Sequence, residues 1–429
     1  MAIYLICSMS FLKLSIVLLF VFSGLHFASQ ETFAQKFQHQ LLLDGMDSLA
    51  FYNVDTTGHW WAITKPFSNR YRMYINDYES PASEDLTFPV FATGGNKWAF
   101  FATYNSAVSI VQNDGYEITE TMLNANDYGE IKYSPNGEHL AYTYFQGGNE
   151  VIQLPERQIS VTYRFGELFI DNSGTSYTIM GKRMNKYVIN INGKESMTYD
   201  SIIPIGYWHN RNFVYAASNG ANWEIYCGNK QFGGTYSSII DVKINYLGTV
   251  LVVLVRLSTG GSSRAIVFSE AYEPIYGKAY DNVWGLALHP TEMIYGYGAM
   301  EYNRGFVVQN STEYAAIGEI GTPFYSHNGD ELIFVGKGAF EPYINVNGKR
   351  TDVRISLYLN DIIAKKPAST TIAFTTNVSL LVYNYEKNEY YVGFMCDRMS
   401  RTTIYNRFTR RYETLGKINN RLYLLTCEP

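Results

Sequence analysis

An asparagine that returns at a fixed place in a repeat of about 37 residues limits this chain to a small set of architectures. With Gly58, Gly95, Gly174, Arg211, Glu292 and Gly329 taken as turn anchors, the residue 18 positions further on is Asn76, Asn113, Asn192, Asn229, Asn310 and Asn347. Gly137 and Gly248 keep the spacing and lose the asparagine, and successive anchors lie 37, 42, 37, 37, 37, 44 and 37 residues apart. A period of this size means repeated supersecondary units that bury their apolar faces by stacking on one another.

Each unit reads as four short strands. Around Gly329, Thr322–Tyr325 is a strand, Ser326-His327-Asn328-Gly329 a tight turn, and Glu331–Gly336 a second strand. Pro342–Val346 follows as a third, turned by Asn347-Gly348 toward a fourth. Asn-Gly between apolar runs marks a type I′ hairpin, because both central positions need positive φ. Asn190-Ile191-Asn192-Gly193-Lys194 repeats Asn345-Val346-Asn347-Gly348-Lys349 almost letter for letter. The recurring asparagine is therefore read as a turn former between third and fourth strands rather than a ligand. Tyrosine at 37 copies and aromatics at 16% suit half-buried strands, and no stretch sustains a helical period.

A second signature lies at Tyr133-Ser134-Pro135-Asn136-Gly137, followed by Leu140-Ala141-Tyr142, with a weaker copy at Tyr325–Gly329. Tyr199-Asp200-Ser201-Ile202 is echoed by Tyr236-Ser237-Ser238-Ile239 and Tyr280-Asp281-Asn282-Val283. These motifs resemble the TolB-like, WD-like β-propeller repeat, with Asn in place of the usual Asp in the turn. The resemblance covers residues 48–354 and implies an all-β propeller of four-stranded blades, exported and bacterial. Eight anchors imply eight blades, with seven and nine as alternatives. Residues 355–429 read as an insertion plus a C-terminal β repeat that closes or flanks the ring; a ninth copy is suggested by the likeness of Ser379–Glu386 to Ser48–Asp55.

The N-terminus reads as an export signal over residues 1–34, with an uncleaved membrane anchor as the competing reading. Lys13 precedes the apolar run Leu14–Phe22, and small residues lie before Gln35. An extension, 35–47, links it to the repeats, and a periplasmic or extracellular location is expected with no transmembrane segment after signal removal. Cys227, Cys396 and Cys427 would remain; a Cys396–Cys427 disulfide and three thiols are both open readings. The net charge of −5 with only 17% charged residues argues against a nucleic-acid partner.

Catalytic patterns are missing: there is no Gly-x-Ser-x-Gly elbow, His-Glu-x-x-His, Walker loop or Cys-x-x-Cys pair. His209, His289 and His327 share the turn before the second strand, but a turn role is expected there rather than a metal. No metal and no cofactor is expected. The loops between second and third strands are the better binding candidates, and Phe145, Asn149, Asn219, Asn222, Tyr302 and Phe340 are the expected ligand contacts on that face. The expected function is a non-enzymatic module that binds a protein or peptide partner in the cell envelope. A carbohydrate-binding or carbohydrate-cleaving propeller is the alternative, and its hydrolase form would need two carboxylates within reach of each other.

Overall fold

A computed structural model describes residues 37–428 apart from 45–47, 56, 68, 162–164, 210–211, 246, 269–272, 327, 339–340, 353–363 and 388. The signal segment, the start of the 355–375 insertion, His327 and Phe340 thus lie outside the described residues. The described chain forms ten small antiparallel sheets, each built of four strands, with the first strand interrupted in some. Blade 1 comprises Ser48–Val54, Trp60–Phe67, Arg70–Ile75 and Tyr78–Glu79, in that order across the sheet. Blades 2 to 9 follow at residues 85–122, 127–161, 165–195, 201–236, 238–276, 282–316, 319–352 and 364–392. Blade 10 takes three strand positions from residues 398–427, and its fourth strand is Phe37–Leu43 from the N-terminal end. That strand runs antiparallel to Arg421–Cys427, with Phe37 opposite Cys427 and Leu41 opposite Tyr423.

Two blades beyond the eight expected come from residues 364–427, which hold two units rather than an insertion and one repeat. Ser379–Glu386 resembles the first strand of blade 1 in sequence, yet its strand, Leu380–Asn384, is the third of blade 9.

Period-2 alternation explains the stacking. In the second strand of blade 6, Leu251, Val253 and Val255 pack toward blade 5, against Trp208, Val214 and Ile225. Val252 and Leu254 point the other way, against Val283, Leu286 and Tyr297 of blade 7. Such a strand is buried on both faces, which is why it reads as an unbroken apolar run rather than an alternating one. The same division recurs in blade 2, where Trp98, Phe100 and Ala102 face blade 1 while Ala99 and Phe101 face blade 3. Ten buried clusters result, one at each seam from blades 1–2 to 9–10, with the tenth joining blades 10 and 1. In that last cluster Ile404, Leu415 and Leu422 meet Val54, Ala62 and Tyr74, so the ring is closed.

One face of the ring carries the turns between strands 1 and 2 and between strands 3 and 4. At Asn347, φ is 48° and the N–H donates to the Leu332 carbonyl at 2.9 Å; the side-chain oxygen accepts the Leu332 N–H at 2.8 Å. Asn76, Asn192 and Asn310 repeat this exchange with Trp60, Tyr177 and Tyr295. The flanking Asn190 and Asn345 accept the N–H of Gly193 and Gly348, which accounts for the near-identical sequences there. Two copies differ. Gly228, not Asn229, takes the positive-φ place in blade 5, and Asn113 caps a longer turn by accepting the Gly115 N–H.

In the turns between strands 1 and 2 the leading side chain accepts backbone N–H groups ahead of it. Asp171 Oδ1 takes those of Thr175 and Ser176, Asn245 those of Thr249 and Val250, and His289 Nδ1 those of Thr291 and Glu292. The anchor glycines also touch the preceding blade. A Cβ on Gly329 would lie 1.9 Å from His289 Nε2, one on Gly174 2.7 Å from the His139 ring, and one on Gly95 2.1 Å from Thr57 Oγ1. Gly329 therefore needs both positive φ (85°) and an absent side chain, whereas Gly147 (φ 57°) faces open space. We expect Gly329→Ala to destabilise by about 3 kcal/mol, since strain and overpacking combine, and Gly147→Ala by only about 1 kcal/mol. Urea unfolding of the two variants measures the difference.

Candidate functional site

The opposite face carries the hairpins between strands 2 and 3 and the links from each outer strand to the next blade. A repeated tie holds these hairpins. In blade 7 the N–H of Asp281, at the blade entry, donates to the Met300 carbonyl at 2.9 Å, and its carboxylate accepts the Tyr302 N–H at 2.7 Å. Asp200 does the same with Ser218 O and Gly220 N–H, at 2.8 Å each. Glu84, Asn126 and Asp397 tie the turns at Ser106, Gly147 and Asn419 in blades 2, 3 and 10. One residue at the blade entry thereby holds both the second strand, through its backbone N–H, and the hairpin turn, through its side chain. The backbone N–H groups of Ser106, Gly147, Gly220, Tyr302 and Asn419 are thereby already bonded.

The expected contact residues fall on this face but are not gathered. Phe145 is half-buried at the end of a strand, its carbonyl accepting the Asn126 N–H at 2.7 Å, and Asn149 opens the next strand in exposed position. Asn219 and Asn222 flank Gly220 in blade 5, both exposed. Tyr302, 83% exposed with φ 49°, stands at the tip of blade 7. Blades 3, 5 and 7 each have another blade between them, so a ligand touching all these residues would have to span the face. What the sequence reading missed is the apolar character of the links and tips. Met122, Met184, Met197, Ile317, Phe394 and Met395 join Tyr302 as exposed large apolar side chains on this side, with Met184 94% exposed. The other face shows fewer of them: Tyr116, Leu247, Met293 and Phe408.

Two lysines on this side hold carboxylates. Lys186 bonds the Asp200 carboxylate, and this with the Gly220 N–H holds the Asp200 carboxyl below its ordinary range. Lys278 reaches Glu301 at 2.8 Å and Glu313 at 2.9 Å while lying over the Tyr280 ring, and its bond holds Glu313 low as well. These two carboxylates share one ammonium partner, and a glycosidase would need one of such a pair as its acid. A general acid requires a raised pKa, and Glu313 is shifted the other way.

His289 is buried and serves as the turn cap described above, while His209 donates its N–H to Gly248 O at 2.7 Å. Among the described residues, no group of three His, Cys, Asp or Glu side chains is placed to hold a metal ion. Cys227, Cys396 and Cys427 are all free thiols, which decides against the Cys396–Cys427 disulfide; burial pushes the Cys396 thiol up to about 11. Among the described residues, no helix is long and apolar enough to cross a membrane.

By sequence, no family profile matches the chain, and no curated protein does. Among solved structures it is similar to one of a eukaryotic initiation factor, at 13% identity over 88% of this chain and 98% of that one, with a TM-score of 0.47. It is similar to the Dos1 propeller at 8% identity over 80% and 92%, TM-score 0.41. The β-propeller domain of the Trilobed protease from Pyrococcus furiosus aligns at 14% identity over 63% of this chain and 98% of that one, TM-score 0.34. Each is a likeness of fold and says nothing of activity.

The tie at Asp200 has a definite pH dependence. Its pKa is lower in the fold than the roughly 3.9 of an unfolded aspartate, so its stabilisation is fully present above that value and is lost as pH falls through the lower, folded one. Hydrogen exchange of the 218–222 segment should stay slow at pH 4 and quicken only in stronger acid. In Asp200→Ala the same segment should exchange fast throughout, with the unfolding midpoint little changed.

Proposed function

We propose that this propeller is a non-enzymatic module, acting outside the cytoplasm, that binds a protein or peptide partner across its loop face. The observation that carries this reading is the pairing of seven exposed apolar side chains, five of them Met or Tyr, with turns and links on that one face. The turn that carries Tyr302 is fixed by the Asp281 carboxylate. Ties of this kind pre-pay the ordering cost of binding, while thioethers adapt to the partner's shape. Aromatic and Met side chains are what protein interfaces enrich. The apolar run before residue 35 and the TolB-like turns support an envelope setting.

The test is a crosslinking pull-down from envelope extract, with residues 35–429 as bait and a Met184→Ser, Tyr302→Ser, Met395→Ser triple variant as control. We expect one stoichiometric protein partner with the parent bait and at least a tenfold loss with the variant. Equal capture by both baits, with the variant folded, would remove the loop face from the account.

A further inference from the structure

Four of the exposed apolar side chains on the loop face carry sulfur. Met122 ends the fourth strand of blade 2, and Met184 stands at the hairpin tip of blade 4. Met197 lies in the link from blade 4 to blade 5, and Met395 in the link from blade 9 to blade 10. Their exposure runs from 63% at Met197 to 94% at Met184. Among the described residues no other methionine is as open: Met293, on the turn face, is 41% exposed, and Met73 and Met399 are buried. The accessible thioethers are thus gathered on the face proposed above to bind.

Backbone geometry holds one of them outward. Met184 sits at φ 56° in a two-residue hairpin between Arg183 and Lys186, which pair across the turn. A left-handed place in a hairpin suits Gly or Asn, so a methionine there presents its thioether at some cost to the backbone. Tyr302 stands in the same way at the tip of blade 7, with φ 49°. Residues in such strained places collect at functional surfaces.

The other sulfurs of the chain compete poorly for an oxidant. Cys396 and Cys427 are buried and Cys227 is half-buried. Burial pushes the Cys227 and Cys396 thiols up to about 11, so little of either is the thiolate that peroxides attack. A thioether has no proton to lose, and access to its lone pair governs its reaction.

We propose that the loop face is an oxidation-sensitive surface, on which hydrogen peroxide converts Met122, Met184, Met197 and Met395 to sulfoxides and thereby releases the partner. This switch depends on the partner binding proposed above. At each site the sulfur lone pair attacks one peroxide oxygen, so that an S–O bond forms as the O–O bond breaks. Sulfur gives up two electrons, and the departing hydroxide takes the proton of the transferred oxygen and leaves as water. The sulfoxide oxygen is a polar acceptor, and burying it unpaired against an apolar partner opposes binding. No core side chain is altered, so the ring keeps its stability.

The test begins with peptide mapping by mass spectrometry after peroxide treatment of the pull-down bait. The four loop-face methionines should each gain one oxygen before Met73 or Met399 does, with the unfolding midpoint unchanged. The oxidised bait should capture its partner at least tenfold less, and sulfoxide reductases specific for each epimer should together restore capture. Met293→Leu, on the turn face, should be as sensitive as the parent. Failure of the untreated bait to capture any partner would overturn the binding reading, and the switch with it. Undiminished capture after oxidation, a loss that the reductases do not reverse, a lowered unfolding midpoint, or a loss that Met293→Leu prevents would overturn the switch alone.

Discussion

Burial on both faces of every blade is the constraint on which the rest depends. Leu251, Val253 and Val255 need blade 5, while Val252 and Leu254 need blade 7, and each seam repeats that demand. At about 1.5–3 kcal/mol per fully buried aliphatic side chain, leaving one blade face open would expose more apolar surface than a marginally stable fold can tolerate. An open row of blades is therefore excluded, and so is a ring whose ends fail to meet. Pairing Phe37–Leu43 with Arg421–Cys427 solves this by making the last blade from both ends of the chain.

Closure leaves the two faces with different character. On the turn face, glycines without side chains let each turn touch its neighbour, as Gly329 does His289 and Gly174 does His139. Cross-blade bonds tighten that face further: Thr93 donates to the Pro135 carbonyl, and the Asn136 N–H to the Asn172 side chain. On the loop face the ties run within a blade, from an entry Asp, Glu or Asn to its own hairpin, and Tyr302 stands exposed at the tip of one tied hairpin. A rigid ring with variable tips is the arrangement that places recognition on loops and stability on strands.

Much of this was legible in the sequence because the repeat has chemical reasons. Asn192 and Asn347 recur because one residue must adopt positive φ and accept the N–H that opens the second strand. The count fell short where those reasons lapse. Blade 9 has no anchor glycine; Ala368 takes the left-handed place, made tenable by Lys365, Glu331 and Tyr412, which lie on three different blades. Blade 10 has no contiguous sequence at all. The ties were half visible, as the acid in Tyr199-Asp200 and Tyr280-Asp281, but nothing local says that such an acid turns back onto a hairpin about 20 residues later. The expected contacts Phe145, Asn219 and Tyr302 lie on blades 3, 5 and 7 for the same reason: spacing along the chain places residues on a face and not at neighbouring blades.

Ring closure through the N-terminal strand is the central claim, and a designed disulfide tests it most directly. Gln40 lies opposite Leu424 across the closing pair. Cysteines at both positions, with the native thiols replaced by alanine, should oxidise within one monomer and raise the unfolding midpoint. Oxidation only between molecules, or none while the protein stays folded, would contradict a ten-bladed ring closed in this way.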